Sequence, residues 1–105
     1  MSVSNYVYIV IGFEIESEEA GDYEENRDFS KKGFNVYRSY EDTYFPPVFG
    51  RSIKGCYADA EYIEDFSFSL TPKDLQDEID FTRKLMEDVV DDIKDLKLHV
   101  VAGCA

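Results

Sequence analysis

A chain of 105 residues has room for one modest hydrophobic core, and residues 1–105 are expected to form a single acidic domain. Its 23 acidic residues outnumber 11 basic ones for a net charge of -12, while 15% of the chain is aromatic, so the charge belongs to a folded surface and not to a disordered tail. Such a surface repels nucleic acid and anionic membranes and attracts basic partners, which argues against direct nucleic-acid binding or membrane attachment.

Met1 to Asn5 holds no basic residue, and the apolar run that follows is broken by Gly12 and Glu14. Neither a secretory signal nor a membrane-spanning helix is expected there. Cys56 and Cys104 are too few and too far apart for a disulfide framework or a zinc ribbon. Free thiols and a cytoplasmic location are the expectation.

Tyr6 to Glu16 reads as a strand, because Val7, Ile9, Ile11, Phe13 and Ile15 repeat at period two. Its other face is apolar early and acidic late, which suits a central strand running out into solvent. Glu14 to Asp28 holds eight acids and one base, Arg27, and reads as a solvated loop or a ragged continuation of that strand. Phe34 to Tyr40 is the next expected strand. Glu41 to Gly50 is expected to be irregular, since Pro46 and Pro47 interrupt pairing. A short strand over Arg51 to Tyr57, interrupted at Gly55, and another over Tyr62 to Leu70 follow.

Thr71 to Leu96 carries the longest pattern. Thr71 is a candidate N-cap, Pro72 suits the first helical position, and Asp74 sits where it can reach back to the cap. Leu75, Ile79, Thr82, Met86, Val89, Ile93 and Leu96 then recur at steps of four and three, predicting one amphipathic helix about 37 Å long. A last strand over Lys97 to Gly103 closes the chain. The expected fold is α+β: a four- to five-stranded antiparallel or mixed sheet with one long amphipathic helix packed across one face.

Chemistry has little to stand on. His99 is the one histidine and completes neither a triad nor a metal site. Cys56 follows Lys54-Gly55 with nothing to complete a cysteine enzyme. No phosphate-binding glycine loop, zinc-protease motif or calcium-loop spacing is present. No catalytic residue, metal ligand or cofactor is therefore assigned, and the chain is read as a non-enzyme.

The charge remains. Duplex DNA shows one charge per roughly 1.7 Å of axis, whereas nine acids along Pro72 to Leu96 give about one per 4 Å, diluted by four bases. The helix alone is a poor copy of a duplex. A compact chain of this length is on the order of 35 Å across, a span on which a duplex shows about 20 charges, so the whole domain comes closer. In length and in its density of Asp, Glu, Tyr and Phe, the chain resembles small phage-encoded inhibitors of host enzymes, a likeness of composition that covers no motif.

That resemblance implies an inhibitor that docks on a basic, nucleic-acid-binding surface of a host protein by nucleic-acid mimicry, of an anti-restriction or anti-CRISPR kind, in the host cytoplasm. The candidate contacts are Glu14, Glu16, Glu18, Glu19, Asp22, Glu24 and Glu25 from the first acidic segment, with Asp77, Glu78, Asp88, Asp91, Asp92 and Asp95 from the helix. An aromatic loop with Tyr40, Tyr44, Phe45 and Phe49 is the second candidate surface. Two other readings compete: a structural or adaptor module, homodimeric through a sheet edge, whose acidity only confers solubility, and a small enzyme or ligand-binding domain using carboxylates.

Overall fold

A computed structural model describes residues 5–39, 45–58 and 68–104. The element order is β1 (Asn5–Glu14), α1 (Ser17–Glu25), α2 (Arg27–Lys31), β2 (Asn35–Tyr37), β3 (Val48–Ala58), α3 (Pro72–Glu87) and β4 (Lys97–Cys104). The four strands form one antiparallel sheet in the order β2-β3-β1-β4. The fold is α+β, as the sequence pattern predicts, with α3 across one face of the sheet.

β1 is central because it is apolar on both sides. Ile9, Ile11 and Phe13 on one face and Val10 on the other are all buried. The first face joins α1, α2 and α3 in the main core, where Ile11, Phe13, Phe34, Phe49 and Met86 pack with Ala20, Val90 and Leu96. The second face carries a smaller cluster of Val10, Val48 and Val101, flanked by Tyr8 and Tyr37.

That second face is concave. Tyr8 pairs with Gly55 and Tyr37 with Val48, positions seven residues and so about 23 Å apart on a straight β3. Their rings nonetheless meet at 5.2 Å between centroids. The strands must coil to bring them together. Two features permit it: a register shift between Ile9 and Val10, and the directly opposed pair Gly12 and Gly50, where the backbones of β1 and β3 approach too closely for side chains.

β3 is longer than the sequence reading allows. It begins immediately after Pro46-Pro47 and runs without a break through Gly55, so Val48 to Gly50 are strand and not irregular link. The buried Pro47 still contributes an acceptor, taking the Ile15 N–H at 2.9 Å. Gly55 leaves room for the Tyr8 ring, which would lie 2.6 Å from a Cβ there. β2 is only three residues long. Of the strand expected over Tyr62 to Leu70, residues 62–67 lie outside the described residues, and Phe68 to Leu70 are irregular.

The acidic stretch after β1 is helical, which corrects the loop expectation. The Glu16 N–H donates to Glu19 Oε1 at 3.2 Å at the start of α1, and Asn26 Oδ1 accepts from Asp28 and Phe29 N–H at the start of α2. α2 ends in a left-handed turn: Gly33 has φ 89°, its N–H reaches Ser30 O, and the Phe34 N–H reaches Phe29 O. That turn delivers Phe34 into the core.

α3 starts as expected, with Thr71 Oγ1 accepting the Asp74 N–H at 3.1 Å and Pro72 at the first position. It stops at Glu87, nine residues before Leu96. Four aspartates, at 88, 91, 92 and 95, crowd the negative end of the helix dipole, and Val89-Val90 adds two poor helix formers. The apolar rhythm continues into the core through Val90 and Leu96, but on irregular backbone.

One polar contact ties α3 to the sheet. Arg51, projecting from β3, pairs with Glu78, donates Nε–H to Thr82 Oγ1 at 3.3 Å and stacks over the Phe81 ring at 4.9 Å. Thr82 is fully buried and also donates to Glu78 O at 2.8 Å. Arg51→Met keeps the aliphatic stem and removes the guanidinium, so its expected cost is about 1–2 kcal/mol, moderated by the partial exposure of Glu78. Urea denaturation at neutral pH measures it, and a change within 0.3 kcal/mol, roughly the measurement error, would show the contact to be idle.

Candidate functional site

The acidic surface is built from two segments. On α1, Glu18, Asp22 and Glu25 follow one another at steps of four and three, which sets them in one exposed stripe, while Ala20 and Tyr23 face the core. Glu14 and Glu16 are exposed just before the helix, and Glu19 is partly covered and engaged with the Glu16 N–H. The second segment is the irregular chain after α3, where Asp88, Asp91, Asp92 and Asp95 are all exposed.

Ala20 and Tyr23 of α1 pack in the same core cluster as Val89, Val90 and Ile93, so the two segments adjoin. Lys32, at the end of α2, pairs with Asp88 at 3.2 Å. Burial, then the charges of Glu19 and Asp92, push the Tyr23 hydroxyl above the ordinary phenol range. Glu14 borders a small cleft with Lys94, Asp95, Lys97 and His99. Exposed carboxylates of α1 and of the segment after α3 therefore lie on neighbouring segments, with Lys32, Lys94 and Lys97 among them.

Other candidates sit apart. Asp77 is exposed but lies eleven residues before Asp88 along α3, roughly 16 Å away and beyond a Debye length at physiological salt. Glu78 is committed to Arg51. Glu24 is committed to Arg38, whose Nη2 lies 2.5 Å from Glu24 Oε1. These pairings, like Lys32 with Asp88, join residues distant in sequence, and no local pattern announces them.

The aromatic candidates divide. Phe49 is wholly enclosed, with ring contacts to Phe13, Tyr23, Phe29 and Phe34, so it is a core residue and touches no partner. Phe45 is 60% exposed. Tyr40 and Tyr44 lie outside the described residues. Sequence reasoning missed Tyr8 and Tyr37, which line an open cleft at the β2 edge with Tyr6, Asn35 and Arg38. His99 is half-buried, with Nε2 3.1 Å from Gly12 O, an arrangement in which the ring N–H donates to the carbonyl.

Among the described residues, no group of three or more His, Cys, Asp or Glu side chains is placed to hold a metal ion. No described helix is long and apolar enough to cross a membrane. Fold and surface together define a small α+β protein with two neighbouring acidic segments. No protein-family model matches the chain, and no curated protein or solved structure matches it significantly.

Proposed function

We propose that this protein is a non-enzymatic binder whose acidic segments dock on a basic surface of another protein, of the kind that grips nucleic acid, and thereby inhibit it. What supports this reading is that α1 and the segment after α3 pack on one core cluster around Tyr23, which brings two sets of exposed carboxylates near one another. The stripe of Glu18, Asp22 and Glu25 on α1 alone gives one acid about every 5 Å of helix axis. A second acidic segment beside them moves the density toward the roughly 1.7 Å per charge of duplex DNA. The phage-encoded, anti-restriction or anti-CRISPR setting rests on the compositional resemblance alone.

A surface of this kind steers encounter by charge and is weakened by salt. The immobilised protein is expected to capture basic proteins from cell lysate at about 0.1 M salt and to release them at about 0.5 M or on addition of duplex DNA. Neutralising Glu18, Asp22, Asp91 and Asp92 together to their amides should abolish capture, while Asp77→Asn should leave it unchanged. Capture that survives high salt, or that persists in the fourfold variant, would sink the proposal.

A further inference from the structure

Antiparallel sheets end in strands whose outward N–H and C=O groups lack a ladder partner, and natural folds blunt such edges by shortening, bulging or charging them. One edge of this sheet is blunted: β2 spans three residues. The other is not. β4 spans eight residues, keeps an unbroken register with β1, and contains no proline. Among the described residues no strand lies outside it, and Val100, at its middle, is 64% exposed.

Open grooves run along both faces of this edge. On the concave side Glu14, Phe45, Pro46, His99 and Val101 border a cavity of about 490 Å³. On the helical side Ile9, Phe68, Leu70, Leu75 and Leu98 border one of about 520 Å³. Val100 adjoins both. A strand added to a sheet edge sends alternate side chains to opposite faces, and here each face offers a receiving groove.

We propose that β4 is a self-pairing edge, along which two copies of the chain join antiparallel about a two-fold axis near Val100, doubling the sheet. Two features select a second copy as the occupant. An exposed apolar residue at the centre of the strand is self-complementary under such an axis, since Val100 falls beside its own equivalent on the same face. Charge agrees: residues 96–105 carry Lys97 and His99 and no acidic side chain, in a chain of net charge -12. The strand can therefore be brought against a copy without setting carboxylate against carboxylate along its length.

The dimensions set the strength. A strand of eight residues is about 26 Å long, and with the 25 Å thickness of the molecule it can cover at most roughly 650 Å² per copy. Stable interfaces use about 800 Å² per partner, so a reversible, concentration-dependent dimer is expected.

Sedimentation equilibrium of the full chain tests this. The wild type should pass from monomer to dimer between about 1 µM and 1 mM, the range that an interface of this size supports. Raising salt from about 0.1 M to about 0.5 M should strengthen the dimer by screening the like net charges, the opposite of its effect on docking to a basic partner. Val100→Lys places a charge on the edge at an exposed position and should raise the dimer Kd roughly tenfold or more with unchanged thermal unfolding. Phe45→Ser, in the concave groove, should weaken the dimer to a lesser extent. A wild type that remains monomeric throughout, or a Val100→Lys protein that dimerises equally well, overturns the proposal.

Discussion

Gly12→Val should destabilise the protein by about 3 kcal/mol or more. An ideal Cβ on Gly12 falls 2.1 Å from Phe49 O and 2.9 Å from Gly50 Cα, and one on Gly50 falls 2.1 Å from Ile11 O. In both cases the obstacle is backbone of the opposing central strand, which no rotamer change can move aside. Relief requires β1 and β3 to part at the position where Phe13 and Phe49 bring the main core together. Overpacking ordinarily costs about 1–3 kcal/mol; with no flexible neighbour to yield, the loss here should reach or exceed the top of that range. Against a total stability of about 5–15 kcal/mol that is a large fraction, and the melting temperature should fall by on the order of 15 °C. Gly50→Val should behave alike, and the pair should be strongly non-additive, since the first substitution already separates the strands. Gly21→Ala is the control. No atom lies within 4 Å of its ideal Cβ, and replacing a helical glycine by alanine should stabilise by about 0.5–1 kcal/mol. Calorimetry on the three variants decides the matter, and a Gly12→Val protein melting within 3 °C of wild type, less than about 1 kcal/mol, would refute the close approach of the strands.

The glycine pair also shows which features were legible in the sequence. In a one-dimensional pattern Pro46-Pro47 and Gly55 read as interruptions, so β3 was expected to be short and broken, and nothing marked Gly12 and Gly50 as a facing pair. In three dimensions these glycines are the positions where a backbone or a ring comes close, and the strands run through them. The start of α3 was legible because Thr71-Pro72 acts locally, through one side-chain acceptor and one restricted φ. Its end was not, because Val89, Ile93 and Leu96 report which side of the chain faces the core and say nothing about whether the backbone between them is helical. Four aspartates beyond Met86 were the available signal, read through the helix dipole. α1 and α2 were hidden by their charge: Glu16 with Glu19, Asn26 before Asp28, and Lys32-Gly33 form a complete set of start and stop signals, yet a run of carboxylates invites a loop. Exposure of the acids followed directly from composition. Their internal commitments did not, since Glu24, Glu78 and Asp88 meet cations 14, 27 and 56 residues away, separations that only the topology closes.

The sharpest consequence of that topology falls on the two phenylalanines that flank Pro46-Pro47 and Val48. Phe45→Ala removes a side chain that is mostly in solvent and should change stability by no more than about 0.5 kcal/mol. Phe49→Ala empties the centre of the main core. Its ring lies 4.7 Å from Tyr23, 5.0 Å from Phe29, 5.6 Å from Phe13 and 5.7 Å from Phe34, so it joins β1, α1, α2 and the turn before β2. Truncating such a residue costs about 3–5 kcal/mol. The loss should not be spread evenly. α1 and α2 have nine and five residues, too few to persist as helices in water without the surface they pack on. Tyr23 and Phe29 are their main holds on the sheet, and both rest on Phe49. Amide hydrogen exchange should therefore show α1 and α2 opening well before β1, β3 and β4 in Phe49→Ala. The acidic surface depends on α1 lying against the segment after α3, so the same variant should lose partner capture under conditions where the sheet remains folded. If Phe49→Ala costs less than 1 kcal/mol, far below the range for a buried ring, or if α1 exchanges together with the sheet, then the acidic surface is not held by this aromatic cluster and the scaffold assigned to it is wrong.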